Sequence, residues 1–408
     1  MELLRFIKGT DSAVRSLRST IRLTHAGWVC LFSAFGLSLV GIYAIDLATT
    51  LHPAGRWDLS IFAWKQVVFL VAGLLGAVMI ALPHYKLFAY VAWPAAAVSL
   101  GLLVLLLVPG MPGWLISPVN GARAWISLPM FNLQPSEPAK IAFVLFMALY
   151  LRQRDPPDRF TMLIVPGVLT LVPVALITLE PDLGTASLFV PSLAAMLVAA
   201  GARLRHLILI LVAGLLVAPL AWPFLMPHQK ARFEALVQQI QGDRSRENDI
   251  NFQSFTAQRL IGAGGLTGQD EDQTRALVHF NRLPEAHNDM VFSVIATRFG
   301  VAGALAVLGL FVCWFAAALV VAAMCKDRFG RISVVGCAAF IAAHVVVNVG
   351  MNIGLLPIIG VTLPFVSYGG SSMLTCWLMT GLIFNIAMRR EVSPWHPAPR
   401  YPLGYEPT

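Results

Sequence analysis

Charge is scarce in this chain. Only 12% of its 408 residues are Asp, Glu, Lys or Arg, while 57% are hydrophobic. A soluble globular chain carries about 25% charge, so the composition excludes a soluble protein and leaves a polytopic membrane protein. Paired cysteines are lacking too. Cys30, Cys313, Cys325, Cys337 and Cys376 lie in or beside apolar runs with no CxxC spacing, which excludes a zinc ribbon or disulfide framework and reads as buried thiols. Met1 to Leu23 has no long apolar core and no small-residue cleavage site, so it is not a cleavable signal peptide. The glycine-rich stretch Gly262-Ala263-Gly264-Gly265-Leu266-Thr267-Gly268 fails the GxGxxG pattern and no strand precedes it, which excludes a dinucleotide site. No internal repeat and no soluble domain stand out.

What is present is a series of long apolar segments. A spanning helix needs ~20 mostly apolar residues. Ten segments qualify, near 27–46, 62–82, 87–108, 137–151, 161–179, 184–201, 206–225, 290–324, 332–353 and 367–388. The fold class is therefore all-α, with about ten transmembrane helices and a large extracytoplasmic loop, 226–289, between helices 7 and 8. The eighth segment is longer than one span and is expected to tilt or to continue outside the bilayer.

Basic residues alternate between loops. Arg5, Lys8, Arg15, Arg18 and Arg22, then Lys86, then Arg152, Arg154 and Arg159, then Arg203 and Arg205, then Lys326, Arg328 and Arg331, then Arg389 and Arg390 mark one side. Cytoplasmic loops are the basic ones, so both termini are expected inside. The net charge of +8 thus reports orientation and contact with anionic lipid heads, not nucleic acid. Residues 1–26 form a basic cytoplasmic segment, in which 3–23 read equally as an interfacial helix or an orienting tail. Residues 27–390 form the membrane domain, and the proline-rich tail 391–408 reads as disordered and cytoplasmic.

The loop at 226–289 is longer than an ordinary connection, and such loops are usually functional or disordered. Phe233, Leu236, Val237 and Ile240 recur at helical spacing, which predicts a helix lying on the outer surface. Phe252, Phe255, Leu260 and Ile261 predict a second short apolar face. The loop closes on Pro284-Glu285-Ala286-His287-Asn288-Asp289, directly before the apolar Met290-Val291-Phe292. A carboxylate and an imidazole beside hydrocarbon mark a candidate site.

Four polar stretches fall at helix ends on the external side. They are Asn120–Ile126 with Gln134–Lys140, Glu180–Thr185, the end of the long loop, and Leu363–Ser372. They can converge on one cavity facing the outer leaflet. Asp289 can be a reacting base or merely a helix N-cap. Glu180 and Asp182 can hold a divalent cation, or Asp182 can cap the next helix. Arg123 and Lys140 suit phosphate, or can pair with Glu137, Glu180 or Asp182. Ser367, Tyr368, Gly369 and Gly370 open the last helix, whose N–H groups can face an anion or simply allow close packing.

Together, "NGARAWISL…QPSEPAK", "EPDLGTA", "GAGGLTG…LPEAHND" and "LPIIGVTLPFVSYGGSS" resemble the signature stretches of the SEDS family (shape, elongation, division and sporulation), over about residues 27–390. The stretch Pro357–Pro364 lies nearer its rod-shape branch, RodA, than its division branch, FtsW. The resemblance implies a peptidoglycan glycosyltransferase of the bacterial cytoplasmic membrane that polymerises lipid II at the outer face, for elongation and shape, with a class B penicillin-binding protein as partner. It implies Asp289 as catalytic base, directly or through a divalent ion such as Mg or Mn. Arg123, Lys140, Glu137, His287, Arg232, Ser367, Tyr368 and Gly369 are then candidate substrate contacts, with His287 an orienting hydrogen-bond partner. Glu180 and Asp182 are the candidate metal ligands. For Arg232 a lipid-headgroup contact stands beside the substrate role.

The chain also departs from the family pattern. Arg298, in Ala296-Thr297-Arg298-Phe299-Gly300, stands where a carboxylate is usual. Asn288 replaces a threonine, Ala124 replaces an arginine, and Gly242–Asp249 is an unusual charged insert. Two other readings therefore stay open. One is a lipid-linked precursor flippase, for which His344, Asn348 and Asn352 inside the ninth segment would line a path. The other is an inactive scaffold of the cell-wall complex.

Overall fold

The computed structural model describes residues 2–51, 59–113, 115–116, 123–127, 132–217, 220, 223, 227–241 and 251–389. The Gly242–Asp249 insert and the tail 391–408 lie outside them, as does Asn120–Ala122. The helices in chain order are α1 (Glu2–Thr49), α2 (Ile61–Ala81), α3 (Phe88–Leu107), α4 (Ser136–Arg152), α5 (Ile164–Leu179), α6 (Leu183–Ser187) and α7 (Phe189–Ala200). There follow α8 (Leu204–Val217), α9 (Pro227–Ile240), α10 (Phe252–Gly264), α11 (Glu271–Phe280), α12 (Val291–Met324), α13 (Arg328–Asn352) and α14 (Gly370–Met388). A two-residue hairpin, Ile126–Ser127 against Asn132–Leu133, is the sole sheet among the described residues.

The protein is an all-α polytopic membrane protein. Among the described residues eight helical stretches are long and apolar enough to cross a bilayer, the first of them Thr24–Thr49 within α1. The expected segments at 137–151 and 206–225 correspond to α4, of 17 residues, and α8, of 14. Lipid-facing side chains such as Ile61, Trp93, Leu171 and Val312 stay exposed on the protein, as a bilayer permits. The interior is packed by α1 along α12 and α2 along α14. Small residues make the second contact possible: a Cβ on Gly381 would fall 2.7 Å from the Ala77 Cα.

Helix starts follow local chemistry. Ser60, Asp270 and Asp327 each accept a backbone N–H three residues on, at α2, α11 and α13, as N-caps do. The expected surface helix and second apolar face of the long loop are α9 and α10; α11 adds a third helix.

Helix α12 is broken at Gly300, whose φ of 64° and ψ of −163° interrupt it. The break frees backbone groups that need partners. The glycine-rich turn supplies them: Val301 N–H donates to the Gly265 carbonyl at 2.9 Å, Ala302 N–H to Leu266 at 3.2 Å, and Gln269 N–H to the Thr297 carbonyl at 3.0 Å. Gly268 lies so close to the Arg298 carbonyl that no side chain fits there. The stretch rejected as a nucleotide loop is thus a plug in a broken membrane helix. Arg298, at the break, donates to the Tyr43 hydroxyl and the Gln269 carbonyl at 3.1 and 2.8 Å.

Candidate active site

The site is built from the backbone of residues 287–289. Three successive carbonyls there accept hydrogen bonds from α13 and from the loop before α14. The His287 carbonyl accepts from Tyr368 N–H at 2.9 Å. The Asn288 carbonyl accepts from the Ser367 hydroxyl at 2.6 Å. The Asp289 carbonyl accepts from the side-chain amides of Asn348 and Asn352, at 2.8 and 2.9 Å. Asn348 also reaches the Val361 carbonyl at 2.7 Å, and the Ser367 hydroxyl accepts from Leu363 N–H at 2.8 Å. Gln66 ties the same loop to α2, donating to the Ser367 carbonyl at 2.9 Å.

This scaffold leaves the Asp289 carboxylate without a hydrogen-bond donor among the described residues. The N-cap position of α12 is Met290, with no side-chain cap, so the capping alternative for Asp289 does not hold. Burial pushes its carboxyl up to about 7, with the charges of Glu285 and Asp182 adding to the rise and Arg232 opposing it. A carboxyl tuned near neutrality is what a general base needs.

Asp182 accepts Thr185 N–H at 2.9 Å and caps α6, while its other oxygen accepts from the Gln134 amide at 3.3 Å. Burial raises its carboxyl. Glu180 is 1% exposed with one oxygen unpartnered among the described residues, and burial, with the charge of Asp182 adding to it, pushes it up to about 8. It is therefore largely protonated at neutral pH. Among the described residues no group of three His, Cys, Asp or Glu side chains is placed to hold a metal. Glu180 and Asp182 thus have no third such ligand beside them among the described residues.

Lys140 is 2% exposed and committed internally. Its ammonium pairs with Glu137 at 2.8 Å and donates to His344 Nε2 at 2.8 Å. His344 Nδ1 in turn donates to the Thr362 carbonyl at 3.1 Å, which fixes that tautomer. The geometry favours the internal ion pair over phosphate contact for Lys140 and Glu137. His287 differs from its expected role. Its ring makes no hydrogen bond among the described residues; it packs 4.9 Å from Phe62 and 5.6 Å from Tyr368. The Gly369 N–H donates to Gln66 at 3.2 Å and is not offered to an anion. Gly370 instead admits Phe69, whose ring lies 2.8 Å from where a Cβ would stand. Arg123 is exposed, and no contact among the described residues joins it to Asp289. Arg232, exposed on α9, does act electrostatically on Asp289.

Sequence reasoning missed Gln66, and it read Asn348 and Asn352 as possible path-lining groups. Their spacing of four on α13 signals a polar stripe, but not its acceptor. It also missed the buried pair of Arg275 with Asp46, 2.6 Å apart, in which Arg275 closes the carbonyl end of α1 by donating to the Asp46 and Thr50 carbonyls.

A cell cycle protein family model, named for FtsW, RodA and SpoVE, matches residues 25–392. The chain belongs to the FtsW/RodA/SpoVE family. The glycosyltransferase class expected from the sequence holds with that membership, as does a multi-pass place in a bacterial inner membrane. It is similar to the probable peptidoglycan glycosyltransferase FtsW of Trichlorobacter lovleyi, 33% identical across 93% of this chain and 97% of that one. It is 29% identical to the stage V sporulation protein E of Bacillus subtilis, over 86% of this chain and 94% of the relative. Among solved structures, a peptidoglycan synthase complex that coordinates polymerization and crosslinking superposes with a TM-score of 0.73, at 30% identity, covering 88% of this chain and 97% of that one. The rod shape determining protein RodA of Thermus thermophilus gives 0.64 at 28% identity, covering 88% and 96%.

Proposed function

We propose that this family member polymerises lipid II into glycan strands at the outer face of the membrane. The observation that carries the reading is the Asp289 carboxylate: half-buried, without a donor among the described residues, raised to about 7, on a backbone held at three consecutive carbonyls. In the reaction a sugar hydroxyl of one chain attacks the anomeric carbon of the other. The Asp289 carboxylate takes the hydroxyl proton as the new glycosidic bond forms, and the bond from the anomeric carbon to the lipid diphosphate breaks. Cations such as Arg232 stabilise the departing diphosphate. Arg123, free of partners among the described residues, is available to the same anion from the 123–127 stretch. A divalent ion would arrive with the diphosphate, since no three His, Cys, Asp or Glu side chains among the described residues are grouped to hold one.

The flippase reading has less support. Asn348 and Asn352, which would line a path, spend their amides on the Asp289 and Val361 carbonyls. A class B penicillin-binding protein is the proposed partner, in keeping with the synthase complex that the fold resembles. Several relatives carry the division name FtsW, so division is the preferred process and the elongation lean from Pro357–Pro364 is secondary. Both termini are proposed to lie in the cytoplasm, on the basic-loop pattern.

The test is polymerisation of lipid II by the purified chain with its cognate transpeptidase. Product is expected from the wild type and none from Asp289→Ala that retains the wild-type melting temperature. Normal polymerisation by that variant would sink the assignment of Asp289.

A further inference from the structure

Lys140 and Glu137 suit a substrate diphosphate by residue type, yet the fold engages both internally. With His344 they are 2%, 3% and 6% exposed. A buried ion pair gains little beyond its own desolvation cost, so stability alone is a weak reason for one here. The chain of bonds has a direction. The Lys140 ammonium has only donors, so His344 Nε2 accepts from it, 2.8 Å away. The ring proton is therefore on Nδ1, aimed at the Thr362 carbonyl at 3.1 Å. In the other tautomer an Nδ1 lone pair would face that carbonyl and the bond would be lost. One turn along α13, Asn348 donates to the neighbouring Val361 carbonyl at 2.7 Å and to the Asp289 carbonyl at 2.8 Å. Gly360 precedes these two carbonyls with a φ of 72°. Its backbone lies beside Asp289: a Cβ there would stand 3.5 Å from Asp289 Oδ2. Gly184 of α6 packs against the Ile359 carbonyl so closely that no side chain fits.

We propose that His344 is a positioning residue of the reaction: held in one tautomer by Lys140, it fixes the Gly360–Thr362 backbone, through the Thr362 carbonyl, as the wall beside which the Asp289 carboxylate stands. The part in the reaction rests on the polymerase reading; the placement of the wall does not. The effect of His344 on Asp289 is indirect. It runs through two successive carbonyls, those of Val361 and Thr362, which α13 holds from Asn348 and His344. Without the Thr362 bond the stretch keeps Asn348 on Val361 and the Met351 sulfur on Ile359 N–H, but its end is released and Gly360 can move relative to Asp289. A base works only within hydrogen-bond reach of the proton it takes, so a small displacement there slows the reaction.

Two substitutions separate the bonds. His344→Asn places an amide nitrogen near Nδ1, so it keeps the Thr362 bond and loses Lys140. His344→Gln places an amide oxygen near Nε2, so it keeps Lys140 and loses Thr362. The full chain with its cognate transpeptidase is assayed for lipid II polymerisation and for thermal melting. His344→Gln is expected to melt near the wild type and to lose about tenfold in kcat, with KM little changed. His344→Asn is expected to melt lower, because Lys140 loses an acceptor, yet to stay within about threefold of the wild-type kcat. Wild-type kcat in His344→Gln, or an equal loss in both variants, overturns the positioning role. A second measurement does not need the reaction. Modification of Asp289 by a carbodiimide, followed across pH by mass spectrometry, is expected to move its midpoint to lower pH in His344→Gln and to keep it in His344→Asn, because an opened wall lets water reach the carboxyl. Glu285, Asp182 and Arg232, whose charges act on Asp289, are unchanged in both. If His344→Asn fails to fold, His344→Gln against the wild type decides by the same two readouts. If the midpoint moves as expected while the wild type makes no glycan, the polymerase reading fails and the wall stands. If glycan is made and His344→Gln changes neither kcat nor midpoint, the wall fails and the polymerase reading stands.

Discussion

The side-chain amide of Asn352 donates to the backbone carbonyl of Asp289 at 2.9 Å, and its oxygen accepts from Ser293 N–H at 3.1 Å. One residue of α13 therefore ties both the end of the 287–289 stretch and the first turn of α12. Asn352→Leu keeps the volume and removes both bonds. Ser293 N–H keeps its bond to the Met290 carbonyl at 3.0 Å, so losing the two side-chain bonds is expected to cost about 1–3 kcal/mol of stability. The expected effect on rate is larger, at least about tenfold, because a small misplacement of a reacting group is expensive. Glycan synthesis and thermal melting of the same preparation check this.

On the proposed reaction, Asp289 sets the pH dependence. As a base it works deprotonated, so the rate is expected to rise as pH increases through about 7. Glu285→Gln removes a charge that raises this carboxyl, and the midpoint is expected to move to lower pH by about half a unit or less, since Glu285 is exposed and screened. The linked stability has the opposite slope. Between the ordinary value of 3.8 and about 7 the folded state holds a proton that the unfolded chain has released. Stability is therefore lost as pH rises across that window, and Asp289→Asn is expected to remove this contribution.

Arg275 and Asp46 form a buried pair that ties α11 to the end of α1. Arg275→Ala leaves the Asp46 carboxylate buried and short of its main partner, although Ser60 N–H still donates to it. A loss of about 3–5 kcal/mol is expected. Removing both residues is expected to cost less than the sum of the single changes, which a double-mutant cycle on thermal stability measures.

Gly300 adopts a positive φ, and a Cβ there would fall 2.5 Å from the Gly268 nitrogen and from the Leu266 carbonyl carbon. Gly300→Ala is expected to expel the glycine-rich turn from the break in α12 and to destabilise the protein by about 2–4 kcal/mol. Hydrogen exchange at Val301 and Ala302, whose N–H groups the turn caps, is expected to accelerate more than elsewhere.

Much of this was legible in the chain. Apolar runs of spanning length gave the membrane helices, because hydrocarbon tolerates little else. Phe233, Leu236, Val237 and Ile240 marked α9 by period. Asp289 stood out as a carboxylate against an apolar run. The roles of Lys140, Gly369 and His287 were not legible. Each residue type suits phosphate or catalysis, and only neighbours distant in sequence assign them: His344 and Glu137 for Lys140, Gln66 for Gly369, Phe62 for His287.

By itself the sequence determined that the chain crosses a membrane, where most of its helices run and which acidic group borders an apolar helix, since these depend on composition and short-range period. Only the tertiary structure decided what holds that group and what it faces. Asn348 and Asn352 are some sixty residues from Asp289 in sequence, and Arg275 is 229 residues from Asp46. Hydrogen bonds and desolvation act over a few ångströms, and which groups come that close is set by the packing of α1, α12 and α13.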